Sequence, residues 1–161
     1  MMTAQAPTLD QFFSALKSKA DATGDFGPTR VEKGRLICEA KDSAAPAEYR
    51  VEADGGVIWV SLVTGDRWLN GSIETDLLHT GDKLDELIDE ELVELDYDGP
   101  SLGFQHYRSD EKLFTFRSST QVTTTAAEAN EKAATELVFT CLRGYEACFR
   151  NLGDMAGGDE D

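Results

Sequence analysis

The heptapeptide Val57-Ile-Trp-Val-Ser-Leu-Val63 constrains the fold more than any other stretch, because it is apolar at both odd and even positions. A strand of this kind belongs in the interior of a sheet, with neighbours on both sides. Immediately before it, Asp54-Gly55-Gly56 is a tight-hairpin signal, since a two-residue turn that matches strand twist needs positive φ, which glycine adopts at little cost. The implied partner is 47–53, where Tyr49, Val51 and Ala53 alternate with charged residues as in a strand with one side in water. A further strand is expected over roughly 30–41, around Leu36, Ile37 and Cys38. Arg67-Trp68-Leu69, after the Thr64-Gly65-Asp66 turn, reads either as a short fourth strand or as the lead-in to a helix.

Helical spacing surrounds these strands. The capping box Thr8-Leu-Asp-Gln11 opens a run with Leu9, Phe12, Phe13 and Leu16 on one face, which predicts a helix over 9–22, and the two glycines and proline of 22–28 stop it. From Asp82, the residues Leu84, Leu87, Ile88, Leu92 and Leu95 share one arc while acids project away, and Asp98-Gly99-Pro100 ends that helix. Residues 101–107 and 112–118 then read as a second hairpin around Ser109-Asp110-Glu111. A second capping box, Thr125-Ala-Ala-Glu128, leads a periodic stretch out to Leu152. As one helix it would be roughly 40 Å long.

That closing stretch is apolar over too wide an arc for a helix lying on a sheet. One ridge runs Ala133, Leu137, Cys141, Cys148, Leu152, and beside it a second runs Val138, Leu142, Tyr145, Phe149. A helix on a sheet needs one such stripe. The second ridge is therefore expected to be covered by a second copy in a two-fold dimer, with packing under Phe12, Phe13 and Leu16 of the same chain as the alternative.

The 161 residues suffice for one core, so a single domain over 1–153 is expected, followed by an acidic, flexible tail at 154–161. Formal charge is −16, from 15 basic and 31 acidic residues. Residues 74–98 carry eleven acids against Lys83 alone, and the tail adds four, so the rest of the chain is nearly neutral. A balance this negative disfavours nucleic acid and anionic membrane surfaces as partners. No stretch approaches the ~18 apolar residues of a membrane span, no signal-peptide pattern opens the chain, and three cysteines (Cys38, Cys141, Cys148) are an odd number. The expectation is a cytoplasmic protein with reduced, buried thiols.

Residues for the common site chemistries are sparse. The two histidines, His79 and His106, lie in separate segments, and Cys141 and Cys148 are two helical turns apart, so neither a metal nor a cofactor is implied. No nucleophile elbow, phosphate loop or glycine fingerprint is present, which leaves no catalytic residue to name. Glu94-Leu-Asp96-Tyr-Asp98-Gly99 imitates the first half of an EF-hand loop, but position twelve is Gln105 and strand-like residues follow, so an acidic helix end running into a turn is expected. The acidic face of that helix reads as solvated. Trp59 and Trp68 are expected in the core, the alternative being a groove lined by aromatics at the sheet surface.

These elements give an expected α+β fold in which helices pack on an antiparallel sheet of about five strands, in the order α-βββ-α-ββ-α. That order resembles the YbjN-like family of bacterial sensory-transduction regulators and the type III secretion chaperones. The resemblance spans roughly Leu9 to Leu152, and its most specific parts are Asp96-Tyr-Asp-Gly-Pro-Ser-Leu-Gly-Phe104 with Lys112-Leu-Phe-Thr-Phe116, then Thr125 leading the closing helix. It implies a small acidic homodimer without enzymatic activity that binds another polypeptide. On the residues themselves, that module would work through an exposed strand edge or through Val138, Leu142, Tyr145 and Phe149. The competing expectations are a small enzyme or ligand-binding domain with a pocket between sheet and helix, and a weak divalent-cation binder.

Overall fold

The computed structural model describes residues 9–32, 34–41, 46–80 (backbone only at 76–80), 84–97 (backbone only at 85), 102, 104–108 and 113–150. The expected acidic tail, Leu152, the Thr8 cap, the turns at Asp98-Gly99-Pro100 and 109–111 and the side chain of His79 lie outside the described residues. The elements follow as α1 (Leu9–Thr23), β1 (Phe26–Glu32), β2 (Arg35–Ala40), β3 (Glu48–Asp54), β4 (Val57–Thr64), α2 (Arg67–Thr80), α3 (Leu84–Glu94), β5 (Gln105–Arg108), β6 (Phe114–Thr123), α4 (Thr124–Ala129) and α5 (Glu131–Arg150). Among the described residues one six-stranded sheet has the order β1-β2-β3-β4-β6-β5, and each neighbouring pair is antiparallel. The α+β class and the antiparallel sheet expected from the sequence are thus what the chain forms.

The apolar heptapeptide lies in β4, between β3 and β6. Asp54 pairs with Val57 across a turn in which Gly55 and Gly56 have φ of 62° and 78°, the doubly left-handed geometry that suits right-twisted strands. Register carries one inner row through Leu36, Val51, Val60 and Ser118 and the next through Cys38, Tyr49, Leu62 and Phe116. All of these residues are buried, and the helices cover this face.

Local chemistry explains where the elements differ from expectation. The 30–41 strand is two strands, β1 and β2, folded at Gly34 with φ 73°. The preceding turn is correspondingly short, and Pro28 falls inside β1, where the register shifts between Phe26 and Thr29, a place an edge strand tolerates proline. Arg67-Trp68-Leu69 begins helix α2 rather than a strand, because the Asp66 carboxylate accepts the Leu69 N–H at 2.8 Å and caps the first turn. The stretch from 125 is two helices: Asn130 leaves helical geometry (φ −138°, ψ 67°), and the cap is Thr123, whose hydroxyl accepts the Ala126 N–H, rather than Thr125.

The largest correction concerns the ridge Val138, Leu142, Tyr145, Phe149. All four side chains are fully buried within the chain's own core, so they are not left for a second copy. They face the sheet: the Tyr145 hydroxyl lies 2.6 Å from Ser118 Oγ, and the Phe149 ring centroid is 5.2 Å from that of Phe116. Cys141 and Cys148 are buried as well, while Ala133 is exposed. The wide apolar arc is accounted for by a second layer. Helix α3 lies so close against α5 that a Cβ built on Gly144 would come within 2.6 Å of Leu92 Cδ2. Helix α1 contributes Phe12, Phe13, Leu16 and Ala20 to the same core.

Two outcomes follow for stability. Leu142→Ala is expected to cost about 2–5 kcal/mol and Phe149→Ala about 3–5 kcal/mol in urea denaturation, and Leu142→Asp combined with Phe149→Asp should abolish the folded state in circular dichroism rather than yield a folded monomer. Gly144→Ala should destabilise by about 1 kcal/mol, since overpacking of roughly 1–3 kcal/mol outweighs a helix-propensity gain near 1 kcal/mol, and in a Leu92→Ala background the same substitution should stabilise. A matching effect in both backgrounds would mean that α3 and α5 are not in close contact there.

Candidate functional site

The outer face of the sheet, opposite the helices, is built from ion pairs. Register aligns Arg30, Ile37, Arg50, Ser61, Arg117 and Gln105 across the six strands in one row. Arg30 reaches Glu39 at 3.5 Å and Glu48 at 3.2 Å, Arg35 reaches Glu52 at 3.4 Å, Arg50 reaches Glu48 at 2.8 Å, and Arg117 reaches Asp54 at 2.8 Å. Exposed pairs of this kind contribute at most about 1 kcal/mol each. Their effect is to leave this face close to neutral.

At the β4-β6-β5 end the charges give way to an aromatic shelf. Trp59 is half-buried on the outer face, and its indole N–H donates to the Asp54 carbonyl at 3.0 Å. The Arg117 guanidinium stacks 3.9 Å from the centre of that ring and lies 5.5 Å from the Tyr107 ring, while its Nε–H donates to Gln105 Oε1 at 3.0 Å. Beside it opens a shallow cleft of about 240 Å³ lined by Trp59, Phe104, Gln105, Arg117, Ser119 and Gln121. Gln121 has φ 66°, next to the register shift in β4-β6 pairing between Val57 and Trp59. Such a bulge re-aims neighbouring side chains.

Neither tryptophan is in the core, which corrects the expectation from indole area. Trp68 is 84% exposed on α2 and does not line the cleft beside Trp59. The two expected groove residues are therefore not brought together. Trp59 escapes the core because β4 is central, so that its odd-numbered side chains face outward however apolar they are.

Among the described residues, strand β5 is a bare edge. All four of its residues are exposed, and it pairs with β6 on one side. For His106 the exposure is mainly of backbone, because its side chain is only 25% exposed. The opposite edge, β1, is guarded by Pro28, an irregular register and the charges of Arg30 and Glu32. The strand β5 is held from beneath: the His106 ring stacks on Phe116 at 3.8 Å, its Nε2 lies 3.1 Å from Asn70 Oδ1, and its Nδ1 lies 3.6 Å from the Glu74 carboxylate of α2. Burial lowers the His106 pKa below its ordinary value, and Glu74 opposes that shift without cancelling it.

Other candidate chemistries are placed as follows. Burial pushes the thiols of Cys38, Cys141 and Cys148 up to about 12, so they stay protonated at neutral pH. A hollow of about 320 Å³ where the end of β6 meets α4 and α5 is lined by residues such as Val122, Ala126, Asn130 and Leu137, without a titratable group. The calcium-loop imitation is a helix end: Tyr97 N–H bonds to Leu92 O and Asp96 N–H to Val93 O, with Asp96 at φ 63°, a Schellman closure. Among the described residues no group of three or more His, Cys, Asp or Glu side chains is placed to hold a metal ion, and no helix is long and apolar enough to cross a membrane. Reading the sequence did not single out Tyr107, Arg108 or Arg117. The available signal was that β5 and β6 contain no acid in a chain of charge −16.

No protein-family model matches the chain, and no curated protein matches it. Among solved structures, an uncharacterized protein from Methanothermobacter thermautotrophicus is similar at 9% identity and a TM-score of 0.33, over 88% of this chain and 99% of its own. A likeness that remote carries no argument about function.

The His106 environment is directly measurable. Its apparent pKa in a proton NMR titration should fall below 6.5, and Glu74→Gln should depress it further. Because the folded state disfavours the protonated ring, its contribution to stability is complete above 6.5 and declines as pH falls from there toward the folded pKa. A value near 6.5 would place the ring in solvent, detached from Asn70 and Phe116, and a higher one would mean that the Glu74 carboxylate outweighs burial.

Proposed function

We propose that this chain is a non-catalytic protein-binding module, regulatory or chaperone-like, that takes up an extended segment of another polypeptide along β5. The observation that carries the reading is the edge itself: four exposed residues in a strand that is paired on one side only among the described residues, anchored from below through His106 and flanked on the outer face by the Trp59, Arg117 and Tyr107 shelf. An open edge offers main-chain donors and acceptors to an added strand, and fixed neighbouring side chains lower the entropy cost of binding. The likeness to YbjN-like proteins and type III secretion chaperones read from the sequence implies the same kind of activity, although the chain has four strands before α2 and paired helices where the expected order α-βββ-α-ββ-α has three strands and single helices.

A reading as an enzyme or small-ligand domain draws less support. The hollow between sheet and helices lacks titratable groups, the thiols are protonated, and the His106 ring is engaged by Asn70, Phe116 and Glu74.

Panning a displayed library of random octapeptides on the immobilised chain tests the proposal. The expected result is enrichment of β-branched, extended sequences whose addition protects alternate amides of Gln105–Arg108 from hydrogen exchange. Binders that leave β5 exchange unchanged, or a library that yields none, would remove the edge as the binding element.

A further inference from the structure

We infer that the segment received by β5 carries a carboxylate side chain seated against Arg108, an inference that rests on the strand-addition reading above. The argument comes from how the rest of the sheet treats its arginines. Arg30 of β1, Arg35 of β2, Arg50 of β3 and Arg117 of β6 each lie within ion-pair distance of a carboxylate, and for Arg30, Arg35 and Arg117 it is supplied by another strand. Arg108 is the exception among the strand arginines. It is exposed, its guanidinium sits 5.6 Å from the centre of the Phe114 ring, and no carboxylate of the described residues lies within ion-pair distance.

The reason is positional. Arg108 pairs in register with Phe114, and β6 contributes no acid, so no strand neighbour among the described residues answers the charge. Among the described residues no strand pairs with the other side of β5. A segment added there would place one residue directly across from Arg108, on the same face of the sheet, at the separation where opposite charges on paired strands attract. Against Phe114, that guanidinium is partly pinned before any partner arrives, so less side-chain freedom is lost on pairing.

Charge complementarity is sharpened by what β5 lacks. Gln105-His106-Tyr107-Arg108 holds no acid, and four residues make few main-chain bonds, so side-chain pairing must supply much of the selectivity. The residues of the incoming segment that alternate with its acid would fall beside Tyr107, on the outer face next to the Trp59 cleft. The partner is thus an extended, acid-bearing peptide segment of another protein, and neither a basic segment nor a second β5.

The test uses the panned library and the full chain in three forms: unsubstituted, Arg108→Gln and Arg108→Glu. The expected result is that Asp or Glu is enriched at one fixed position of the binders, that Arg108→Glu weakens such a peptide about tenfold by replacing an attraction with a repulsion while Arg108→Gln gives a smaller loss, and that repanning on Arg108→Glu selects Lys or Arg at that position. Unaltered hydrogen exchange in β6 and α5 verifies that the variants are folded. Peptides that protect β5 but carry no fixed acid, or bind all three forms alike, overturn the inference and leave strand addition standing. Peptides that do not protect β5 overturn both. A chain that runs as a dimer in light scattering with β5 amides already protected also overturns the inference, because the edge is then held by a second copy.

Discussion

Everything in this fold depends on α5 being buried from two directions at once. On one side Val138, Leu142, Tyr145 and Phe149 lie on the inner face of the sheet, with the Tyr145 hydroxyl bonded to Ser118. On the other, the absence of a side chain at Gly144 lets Leu92 of α3 press against the helix backbone. A helix so enclosed loses little by being apolar over half its circumference, and each large side chain it buries is worth roughly 1.5–3 kcal/mol relative to exposure. Helix α3 can in turn be strongly acidic outside, because Leu84, Ile88 and Leu92, with Leu87 packed beside them, hold it in place.

The helical layers lie on one side, and among the described residues no helix covers the other face of the sheet, where Ile37 and Val63 are buried among charged neighbours. It is populated by arginines and glutamates that pair across strands, and the chain's large negative charge is displaced to α3 and the stretch around it. A charge of −16 therefore describes the outside of one helix better than it describes the sheet. At β5, Arg117 is matched by Asp54, Glu74 sits beside His106, and Arg108 is unmatched among the described residues. At contact distance it is such local pairing that governs, since charges farther off than about 10 Å are largely screened at ordinary salt.

How much of this was legible depended on whether a signal was local. Asp54-Gly55-Gly56 and the apolar run to Val63 contain their own geometry, so the β3-β4 hairpin and the central place of β4 follow from a dozen residues. Asp66 is equally local, but a cap before a run containing Trp68 and Leu69 competes with a strand reading of the same residues. The ridge of α5 is plainly apolar in the sequence, but the sheet covers it rather than the second copy its width suggests. Periodicity gives the width of a buried arc and is silent about whether a second helix of the same chain or a second molecule covers it. Trp59 illustrates the reverse difficulty: in a run apolar at both odd and even positions, Ser61 is the one polar residue that hints at which face is open. The shelf around Arg117 joins residues from β4, β5 and β6, and only the register brings them together.

The same register ties the edge to the core. His106 presents its backbone to the outside while its ring rests on Phe116, which packs against Phe149, which belongs to the buried ridge of α5. A strand of four residues at the end of a sheet would ordinarily fray, because each edge residue gains ladder bonds on one side only. Here a line of three rings in contact, the first two stacked and the third tilted, runs from edge to core, and Asn70 and Glu74 of α2 flank the first of them. The backbone of β5 is consequently held in extended form before anything adds to it. That fixes which amides and carbonyls face outward, and it lets a short edge act as a template where an unanchored one would first have to be ordered.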